Sequence, residues 1–577
     1  MNHWHQLDST SGRAGHRIFR RVSFMHRWWI GLAIVTFSTA AWGQLPYVEV
    51  SIPMSDEVEL SGDLYLPEGD SHWPTLLIMT PYGKQVARPD AAGLPFGTAD
   101  YAWLVVDWRG YGASGGEPLS SNGADGSAVV EWIAEQAWSD GHVGMWGSSA
   151  LGVIQFHTAV EQAKLTDPHL DACVPQFADF GSDYEQHYAG GVLKWEYSLF
   201  HYFMGYLDWT MLLEHPSHDP FWTFIEAVGD IAADIETPML LVGGWYDLDT
   251  RAILLGWDQL ANHSDASHRD DHRFVIGPWT HAGEDLLEQG ELEYPQAVGA
   301  AHGAALAFFD RWLRGIPPDE ETPRVRWYEM GAERWHDGEA WPPEPPSPET
   351  WFIQPDGRLN GVEAETGSMS FTVDPDDPSP TLGGPRMSFL EVLDGPADLR
   401  FEVESRPDAL VLTSAPLERS VTVAGAPEVR LWLSTDSLDT DVMVRLTDVH
   451  PDGRSMFVVD GARRARFRDS LENEALMTPG VPAEIPVLLQ PTALTFQEGH
   501  RLRVVITSSN HPQFHVNPND GGDLYDENAV PRVATNTLWT GPDHRSRLIL
   551  PVIDTNWAFA DGFEDGDTGA WSVVFGD

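Results

Sequence analysis

Short apolar runs alternate with amphipathic stretches along residues 48–341 of the chain. Six of these runs are short enough for buried strands, and segments with helical periodicity lie between several of them. This alternation predicts an α/β domain with a mostly parallel sheet. Asp125 has the residue type and the position expected of a helix N-cap. The predicted strands cover residues 75–80, 102–107, 143–147, 172–176, 239–243 and 273–277, and the predicted helices cover residues 126–137 and 150–163.

The alternation stops after Phe180. Residues 183–234 are rich in Trp, Tyr, Phe and His, and helical stretches at 193–202, 209–214 and 220–228 follow one another without an intervening strand pattern. We interpret residues 181–235 as a helical cap inserted into the α/β domain, with aromatic side chains at the mouth of a pocket. Extra helices packed as ordinary core explain the same pattern equally well.

A proline-rich joint at residues 341–348 marks a domain boundary, because such a run is stiff and extended and forms no regular element. Beyond it the helical periodicity ends, and strand patterns alternate with turn residues, which predicts a β-sandwich. The predicted domains are residues 44–180 with 236–341, the cap, a β-sandwich at 349–555, and an acidic tail at 556–577. The sandwich strands are expected at residues 410–413, 421–423, 429–434, 441–448, 456–459, 485–489 and 501–507.

The N-terminus has the pattern of a secretory signal. Several arginines precede an apolar run at residues 28–41, which ends in the small-x-small sequence Ala41-Trp42-Gly43. A membrane anchor is the weaker interpretation, because the run is shorter than the ~20 residues needed to span a bilayer. We therefore expect residues 1–43 to be a signal peptide, with Met25 as an alternative start, and the mature protein to be secreted or periplasmic without a membrane span.

The charge composition excludes some partners. With 35 Lys and Arg against 87 Asp and Glu, the formal net charge is −52, so the summed field would repel nucleic acid and anionic membranes.

Cys173 is the single cysteine, and no disulfide within the chain is possible. Its apolar neighbours predict a buried, unreactive thiol.

The segment VGMWGSSALG, residues 143–152, has the pattern of a nucleophile elbow. A strand runs into a Gly-x-Ser-x-x-Gly turn, and a helix follows. Ser149 is the candidate nucleophile. Compared with the common Gly-x-Ser-x-Gly, one further residue separates Ser149 from Gly152, and an ordinary strand-to-helix turn remains an alternative.

A serine nucleophile needs a base that is itself oriented by a carboxylate. Asp247 and His281 each come just after a later predicted strand, in the chain order Ser, Asp, His of an α/β-hydrolase. The backbone N–H of Ala150 and the hydroxyl of Tyr82, which follows the strand at 75–80, are the candidate oxyanion donors. This chemistry requires no cofactor.

Several motifs closely resemble the cocaine esterase and X-Pro dipeptidyl-peptidase family of serine hydrolases (CocE/NonD, peptidase S15), which includes the α-amino acid ester hydrolases. The resemblance extends over nearly the whole mature chain, from about residue 50 to residue 551. In the α/β domain it rests on MTPYGK (79–84), DWRGYGASGG (107–116), WSDGHVGMWG (138–147), the elbow, GWYD (244–247) and GPWTH (277–281). In the second domain it rests on STDSLDTD (434–441), PDGR (451–454), RARFR (464–468) and EGHRL (498–502).

The resemblance implies an α/β-hydrolase fold with an inserted helical cap and a C-terminal jelly-roll (galactose-binding-like) domain. It also implies Ser149 as nucleophile, Asp247 as acid, His281 as base, and Tyr82 with Ala150 as oxyanion hole. The family often has tyrosine where Ala150 stands, which changes a pocket wall but keeps the backbone donor. The implied substrates are small-molecule acyl esters or amides.

The resemblance leaves the branch of the family open. The α-amino acid ester hydrolases bind the substrate ammonium with carboxylates, and this chain is similar to them at Asp183 and Asp249 but has Thr250 where a further acid is expected. Alternatively, Asp183 caps a helix and Asp249 is a solvated loop residue. X-Pro dipeptidyl-peptidase activity is less expected, because the family members with that activity have longer chains that include an extra N-terminal helical domain.

Other candidate features receive structural interpretations. The histidines and aspartates of residues 262–272 match no known ligand spacing, so we expect a solvated polar loop and no metal. Asp107 and Arg109 are expected to support a loop.

A secreted binding protein with an inactive hydrolase core is the rival functional class. A homo-oligomer is compatible with the sequence.

Overall fold

The computed structural model describes residues 46–69, 71–87, 100–119, 122–181, 183–265, 267–317, 323–343, 346–386, 393–526 and 528–553. The predicted signal peptide and the predicted acidic tail lie outside these residues.

The first elements follow the predicted alternation of strands and helices. Each of the first four predicted strands is present, and three of them are longer than the apolar run alone suggested, because flanking residues also join the sheet. The elements are β1 (Val48–Pro53), β2 (Glu59–Tyr65), β3 (Trp73–Thr80), β4 (Ala102–Asp107), α1 (Gly123–Ala134), β5 (Ser139–Ser148), α2 (Ala150–Gln162) and β6 (Leu170–Gln176).

Helix α1 begins earlier than predicted. Its N-cap position is Asn122, and Asp125 lies inside the first turn. The expected capping role of Asp125 is wrong, because its carboxylate instead accepts hydrogen bonds from Nε and Nη2 of Arg109, at 2.7 and 2.6 Å. Arg109 also pairs with Asp56, and Asp107 accepts backbone hydrogen bonds from Lys84 and Ala113, at 2.6 and 2.8 Å. Asp107 and Arg109 therefore support this loop, as predicted.

The segment between β6 and the next long strand contains the predicted helices, with small shifts of their ends. It also contains a short hairpin, so the expectation that no strand occurs here is wrong. Strands of two residues carry too little periodicity to be predicted. The elements are α3 (Tyr184–His187), β7 (Tyr188–Ala189), β8 (Val192–Leu193), α4 (Trp195–Phe203), α5 (Trp209–Glu214) and α6 (Pro220–Gly229), followed by a 3-10 turn (Ala232–Asp234).

The chain then returns to the α/β domain and completes a ten-stranded sheet. The remaining elements are β9 (Leu240–Tyr246), α7 (Thr250–His263), β10 (Arg273–Thr280), β11 (Glu288–Gln289), β12 (Leu292–Glu293), α8 (Ala300–Arg314), β13 (Val325–Glu329) and β14 (Arg334–Gly338), with 3-10 turns at Arg269–Asp271 and Pro295–Ala297. The strand order in the sheet is β1-β2-β4-β3-β5-β6-β9-β10-β13-β14, and the central pairings from β4 to β13 are parallel. Strands β3, β4 and β10 are almost entirely buried, as expected for a parallel sheet covered on both faces.

The loop at residues 262–272 is only partly solvated. His272 is fully buried and accepts a hydrogen bond at Nδ1 from the backbone N–H of Met239, at 3.3 Å. Burial lowers the pKa of His272 to about 3, so the ring is neutral. The prediction of a solvated loop is therefore wrong for this residue, which anchors the start of β10.

No described helix has both the length and the apolar character that crossing a bilayer requires.

The C-terminal part is rich in strands, and among its described residues all but one of the strand pairings are antiparallel. The predicted strands are present, and the last two residues of the proline-rich joint belong to a strand, contrary to expectation. A single π-helical turn (Arg400–Glu404) and a 3-10 turn (Ala465–Phe467) interrupt the strands. The strands are β15 (Ser347–Ile353), β16 (Arg358–Asn360), β17 (Gly367–Val373), β18 (Leu410–Ser414), β19 (Val421–Gly425), β20 (Glu428–Thr435), β21 (Asp441–Val449), β22 (Ser455–Arg464), β23 (Ala483–Leu488), β24 (Thr492–Phe496), β25 (Arg501–Thr507), β26 (Ala534–Thr540) and β27 (Arg547–Ile553).

The cap helices contact this β-rich part directly. Arg386 is buried and donates through Nε and Nη2 to the carboxylate of Glu196 in α4, at 3.1 and 2.6 Å. The backbone N–H of His515 donates to the carbonyl of Leu193, at 2.9 Å. Separating a buried ion pair is strongly destabilising, because it leaves an uncompensated charge out of water. The β-rich part therefore fixes the cap above the carboxyl ends of the sheet.

Candidate active site

Ser149 lies at the turn between β5 and α2, in a conformation that side chains rarely adopt. Its φ is 57° and its ψ is −126°, and its backbone N–H donates to the carbonyl of Gln176, at 2.9 Å. A Cβ on Gly147 would lie 2.5 Å from Cβ of Leu151, and one on Gly152 would lie 2.6 Å from Cβ of Ala178. The turn therefore needs both glycines, and it holds the half-buried Ser149 in the strained geometry of a nucleophile elbow.

Asp247 and His281 meet at the carboxyl ends of the neighbouring strands β9 and β10. Nδ1 of His281 lies 2.9 Å from Oδ2 of Asp247, whose side chain is fully buried. The other carboxylate oxygen, Oδ1, accepts a hydrogen bond from the backbone N–H of Asp249, at 2.6 Å. The carboxylate therefore has one oxygen held by the backbone and the other directed at the imidazole, which leaves Nε2 of His281 as the base.

The charge of Asp247 sets the protonation of the imidazole. Burial lowers the pKa of His281, but the negative charge of Asp247 and its hydrogen bond raise it by more, to about 8. A general base must be neutral to accept a proton.

We therefore expect kcat/KM to rise with pH and to reach half of its maximum near pH 8. Below this pH the imidazole is protonated and cannot take the proton of Ser149. The measurement is kcat/KM on an uncharged ester between pH 5 and pH 10. A profile that is flat through pH 8, or that falls with rising pH, would contradict this assignment of His281.

Tyr82 and Ala150 lie on opposite sides of Ser149 in the chain and contribute different donors. Helix α2 begins at Ala150, so this N–H is one of the terminal donors that have no partner inside the helix. Tyr82 follows β3, and its side chain interacts with those of Ser149 and Tyr206. Loss of surrounding water raises the pKa of Tyr82, although the interactions with Ser149 and Tyr206 act in the opposite direction. The phenol therefore stays protonated and able to donate.

Replacing Tyr82 by phenylalanine is expected to leave the fold intact and to lower the acylation rate by about a hundredfold or more, as for loss of one oxyanion donor. Stopped-flow acylation kinetics on an activated ester measure this rate. Tyr206→Phe is the matched control, because it removes a hydroxyl that contacts Tyr82. Loss of one hydrogen bond of about 1 kcal/mol predicts less than about a tenfold effect there. An unchanged rate in Tyr82→Phe would remove Tyr82 from the mechanism.

Asp183 is held in two structural interactions. Its side chain caps α3 by accepting from the backbone N–H of Gln186, at 2.7 Å, and its Oδ2 pairs with Nη1 of Arg251, at 2.5 Å. The carboxylate is therefore already satisfied by a helix end and a guanidinium.

Asp249 lies in a group of carboxylates beside Asp247. Gln186 donates through Nε2 to Asp179, at 2.8 Å, and to Asp249, at 3.4 Å. Burial and the charge of Asp247 raise the pKa of Asp249 to about 6, and burial with the charges of Asp249 and Asp183 raises that of Asp179 well above its usual range. Asp249 is half-buried, so its interpretation as a solvated loop residue does not describe this environment.

Lys194 brings a positive charge into the same region. It is buried, its Nζ donates to the carbonyl of Leu248 at 3.4 Å, and it lies 4.8 Å from the ring centroid of Tyr197. Burial lowers the pKa of Lys194, while the charges of Asp249 and Asp183 act to raise it. Lys194 and Arg251 therefore offset part of the negative charge of Asp183 and Asp249.

Asp179, Lys194 and Tyr206 were not predicted from the sequence. Asp179 could have been found, because it comes three residues after the carboxyl end of β6, at the same edge as the other candidates. Lys194 and Tyr206 lie in the cap, where no motif marks them. The residues that were predicted as catalytic lie at the ends of four strands, and their catalytic roles stay predictions. They are Tyr82 after β3, Ser149 after β5, Asp247 after β9 and His281 after β10.

The arrangement combines a strained serine, a carboxylate-bound imidazole and two donors for an oxyanion. This set supports nucleophilic attack on a carbonyl with stabilisation of the tetrahedral intermediate. Cys173 takes no part, since it is fully buried in β6 and burial raises the pKa of its thiol.

Comparison with known proteins agrees with this chemistry. The model of the X-Pro dipeptidyl-peptidase (S15 family) matches residues 56–208 and 204–283. The model of the X-Pro dipeptidyl-peptidase C-terminal non-catalytic domain matches residues 319–549. Together these matches extend over both the α/β domain and the β-rich part.

Individual relatives extend over most of the chain. The cocaine esterase of Rhodococcus sp. (strain MB1 Bresler) is 30% identical over 585 residues, which cover 87% of this chain and 98% of that protein. Two solved structures share the fold: an aminopeptidase from the marine sediment archaeon Thaumarchaeota archaeon (24% identity, TM-score 0.76) and an α-amino acid ester hydrolase (23% identity, TM-score 0.75). Each covers 90% of this chain and is itself covered completely. The predicted resemblance is thus confirmed, and the chain belongs to the cocaine esterase and X-Pro dipeptidyl-peptidase (S15) family as a serine hydrolase with an α/β-hydrolase-like fold.

Proposed function

We propose that the protein hydrolyses a small acyl ester or amide through an acyl-enzyme on Ser149. The imidazole of His281 takes the proton of the Ser149 hydroxyl, whose oxygen then forms a bond to the substrate carbonyl carbon. The carbonyl oxygen becomes an oxyanion and accepts hydrogen bonds from Tyr82 and from the N–H of Ala150. Asp247 stabilises the imidazolium during this step.

The intermediate then collapses. The bond from the acyl carbon to the leaving group breaks as His281 returns its proton to the departing oxygen or nitrogen. A water molecule next gives a proton to His281 and attacks the carbonyl carbon of the acyl-enzyme. The bond from that carbon to Oγ of Ser149 then breaks as His281 returns the proton to Oγ, which releases the carboxylic acid and restores Ser149. The observation that carries the proposal is the 2.9 Å contact between Nδ1 of His281 and Asp247, at the same sheet edge as the strained Ser149.

Labelling with a fluorophosphonate tests this reaction. An activated Ser149 attacks the phosphorus and displaces fluoride, so we expect one label per chain on the peptide that contains Ser149. Mass spectrometry of the digested protein locates the label. If well-folded protein takes up no label, a secreted binding protein with an inactive hydrolase core becomes the better interpretation.

A second candidate is hydrolysis of α-amino acid esters. The pair Asp179 and Asp249 favours it, because two carboxylates beside Asp247 would attract a substrate ammonium. Lys194 and Arg251 count against it, because the charge of Lys194 already acts on Asp249 and Arg251 already pairs with Asp183. A simple ester or amide without an amine is therefore the first proposal.

The two candidate functions predict different effects of the substrate's α-amine on kcat/KM. The assay compares kcat/KM on phenylglycine methyl ester with kcat/KM on the same ester without its α-amine. The first proposal predicts less than a tenfold difference, or about 1.4 kcal/mol of transition-state preference. A preference for the amine above this value would instead support the α-amino acid ester hydrolase.

The N-terminal pattern supports secretion or export to the periplasm, with residues 1–43 removed. Mass spectrometry of the mature N-terminus tests this, and we expect it at Gln44. Retention of residues 28–41 in the exported protein would argue for an anchor.

We also infer that the β-rich part is a jelly roll, on the basis of its motifs and its predominantly antiparallel strands.

A further inference from the structure

A carboxylate and two imidazoles converge in the β-rich part, away from Ser149. Asp448 lies near the end of β21, His450 directly follows that strand, and His500 directly precedes β25. Strands β21 and β25 are paired, with Asp448 opposite Leu502. Two hydrogen-bonded strands therefore bring the three side chains together.

Both histidines lie at metal-ligand distances from Asp448. Nδ1 of His500 is 2.9 Å from each carboxylate oxygen of Asp448, and Nε2 of His450 is 3.5 Å from Oδ2. One ligand atom from each residue lies within 4.8 Å of the other two. Ligand atoms about 3.3 Å apart are expected around a tetrahedral Zn²⁺ with bonds of roughly 2.0–2.1 Å. The two separations from Asp448 bracket this value.

The backbone around the cluster is held in place by hydrogen bonds. The N–H of His450 donates to the carbonyl of Arg454 at 2.8 Å, which closes the turn that carries the ring. The N–H of His500 donates to Gln497 at 3.0 Å, and its carbonyl accepts from Leu417 at 2.8 Å. Side-chain exposures of 8% for Asp448, 21% for His450 and 16% for His500 show that the cluster is mostly buried, with its two histidines partly open to solvent.

We propose that Asp448, His450 and His500 form a binding site for a divalent transition-metal ion, with Zn²⁺ as the best match. Two neutral imidazoles and one carboxylate are a ligand set that Zn²⁺ prefers, and a water molecule would complete four ligands. Ca²⁺ and Mg²⁺ prefer oxygen ligands and fit this set poorly. The site would tie the end of β21 to the start of β25.

One neighbouring charge must be accommodated. Nη2 of Arg454 donates to Nδ1 of His450 at 3.5 Å, which is a long hydrogen bond. When Nε2 of His450 binds the ion, Nδ1 carries the proton, and Arg454 has to turn away. Arg454 is 41% exposed at its side chain and already pairs with Asp452 at 2.9 Å, so this movement is available and its charge is compensated.

Zn²⁺ titration of the chelator-treated full-length protein tests the proposal. Isothermal titration calorimetry should show a Zn²⁺ site in the wild type that is weakened by at least about tenfold in His500→Gln and in His450→Gln, because each removes a direct ligand. Zn²⁺ should also raise the thermal midpoint of the wild type, and this rise should be absent in both variants. The hydrolase activity of the metal-free variants should be unchanged.

His142→Gln is the matched control. His142 forms a similar pair with Asp171, at 3.0 Å, but does not belong to a three-ligand group among the described residues. This variant should bind Zn²⁺ as the wild type does. The other three-ligand group, Asp247, Asp249 and His281, lies in the active site. Zn²⁺ bound there would inhibit hydrolysis equally in all variants, so inhibition separates the two sites.

Replacement of the ion by Co²⁺ gives an independent readout, since tetrahedral Co²⁺ bound to nitrogen and oxygen ligands absorbs visible light. The visible bands should appear in the wild type and in His142→Gln, and should be lost in His450→Gln and His500→Gln. If wild type and both ligand variants bind Zn²⁺ with equal affinity, or if the wild type shows no site beyond the active site, the proposal is wrong.

Discussion

Replacing Ser149 by alanine is expected to lower kcat by about a million-fold, the loss typical of removing a serine nucleophile. Without the hydroxyl no acyl-enzyme can form, and only the oxyanion donors and substrate binding remain. The measurement is steady-state hydrolysis of an activated ester. The thermal midpoint should change little, because alanine keeps the Cβ in the strained turn.

Ser148→Ala is the matched control for this variant. Ser148 is the neighbouring residue at the end of β5 and has a similar half-buried environment. It is expected to retain activity within a few-fold of the wild type. Wild-type activity in Ser149→Ala would refute the acyl-enzyme mechanism itself.

The second large effect is expected for Asp247→Asn, with a fall in kcat of about ten-thousand-fold. The asparagine amide has the same shape, but its NH₂ end cannot accept a hydrogen bond from Nδ1–H of His281, and the neutral amide cannot stabilise the imidazolium. The loss of charge also removes the main cause that raises the pKa of His281, so the midpoint of the pH profile should move below 8. Both changes are read from kcat/KM as a function of pH.

Asp171→Asn is the control, because Asp171 pairs with His142 at the protein surface. It should leave both the rate and the midpoint unchanged. If Asp247→Asn lowered the rate without moving the midpoint, the carboxylate would act on the fold of the loop and not on the imidazole.

The local elements could largely be predicted from the sequence. Strand β3 and strand β4 were predicted from runs of apolar residues, since a strand buried on both faces needs little information beyond its own side chains. The elbow at Ser149 was predicted because Gly147 and Gly152 are needed there for steric reasons. Asp247 and His281 were found for a related reason, as residues that follow parallel strands lie at one sheet edge.

Other contacts could not be predicted, because they join residues far apart in the chain. The expected cap at Asp125 failed because the helix begins earlier and Arg109, sixteen residues away, holds that carboxylate. The buried position of His272 depends on Met239 in the neighbouring strand. No periodicity records such pairings.

The sequence by itself determined the parallel sheet, the order Ser149, Asp247, His281 and the family, because these depend on short motifs and on the pattern of apolar residues. Only the tertiary structure decided the charge balance beside Asp247, where Lys194 and Arg251 come from different elements to meet Asp179, Asp183 and Asp249. It also decided the convergence of Asp448, His450 and His500. Both depend on how strands and cap pack in space, and electrostatic energies depend on distances through space and not on separation along the chain.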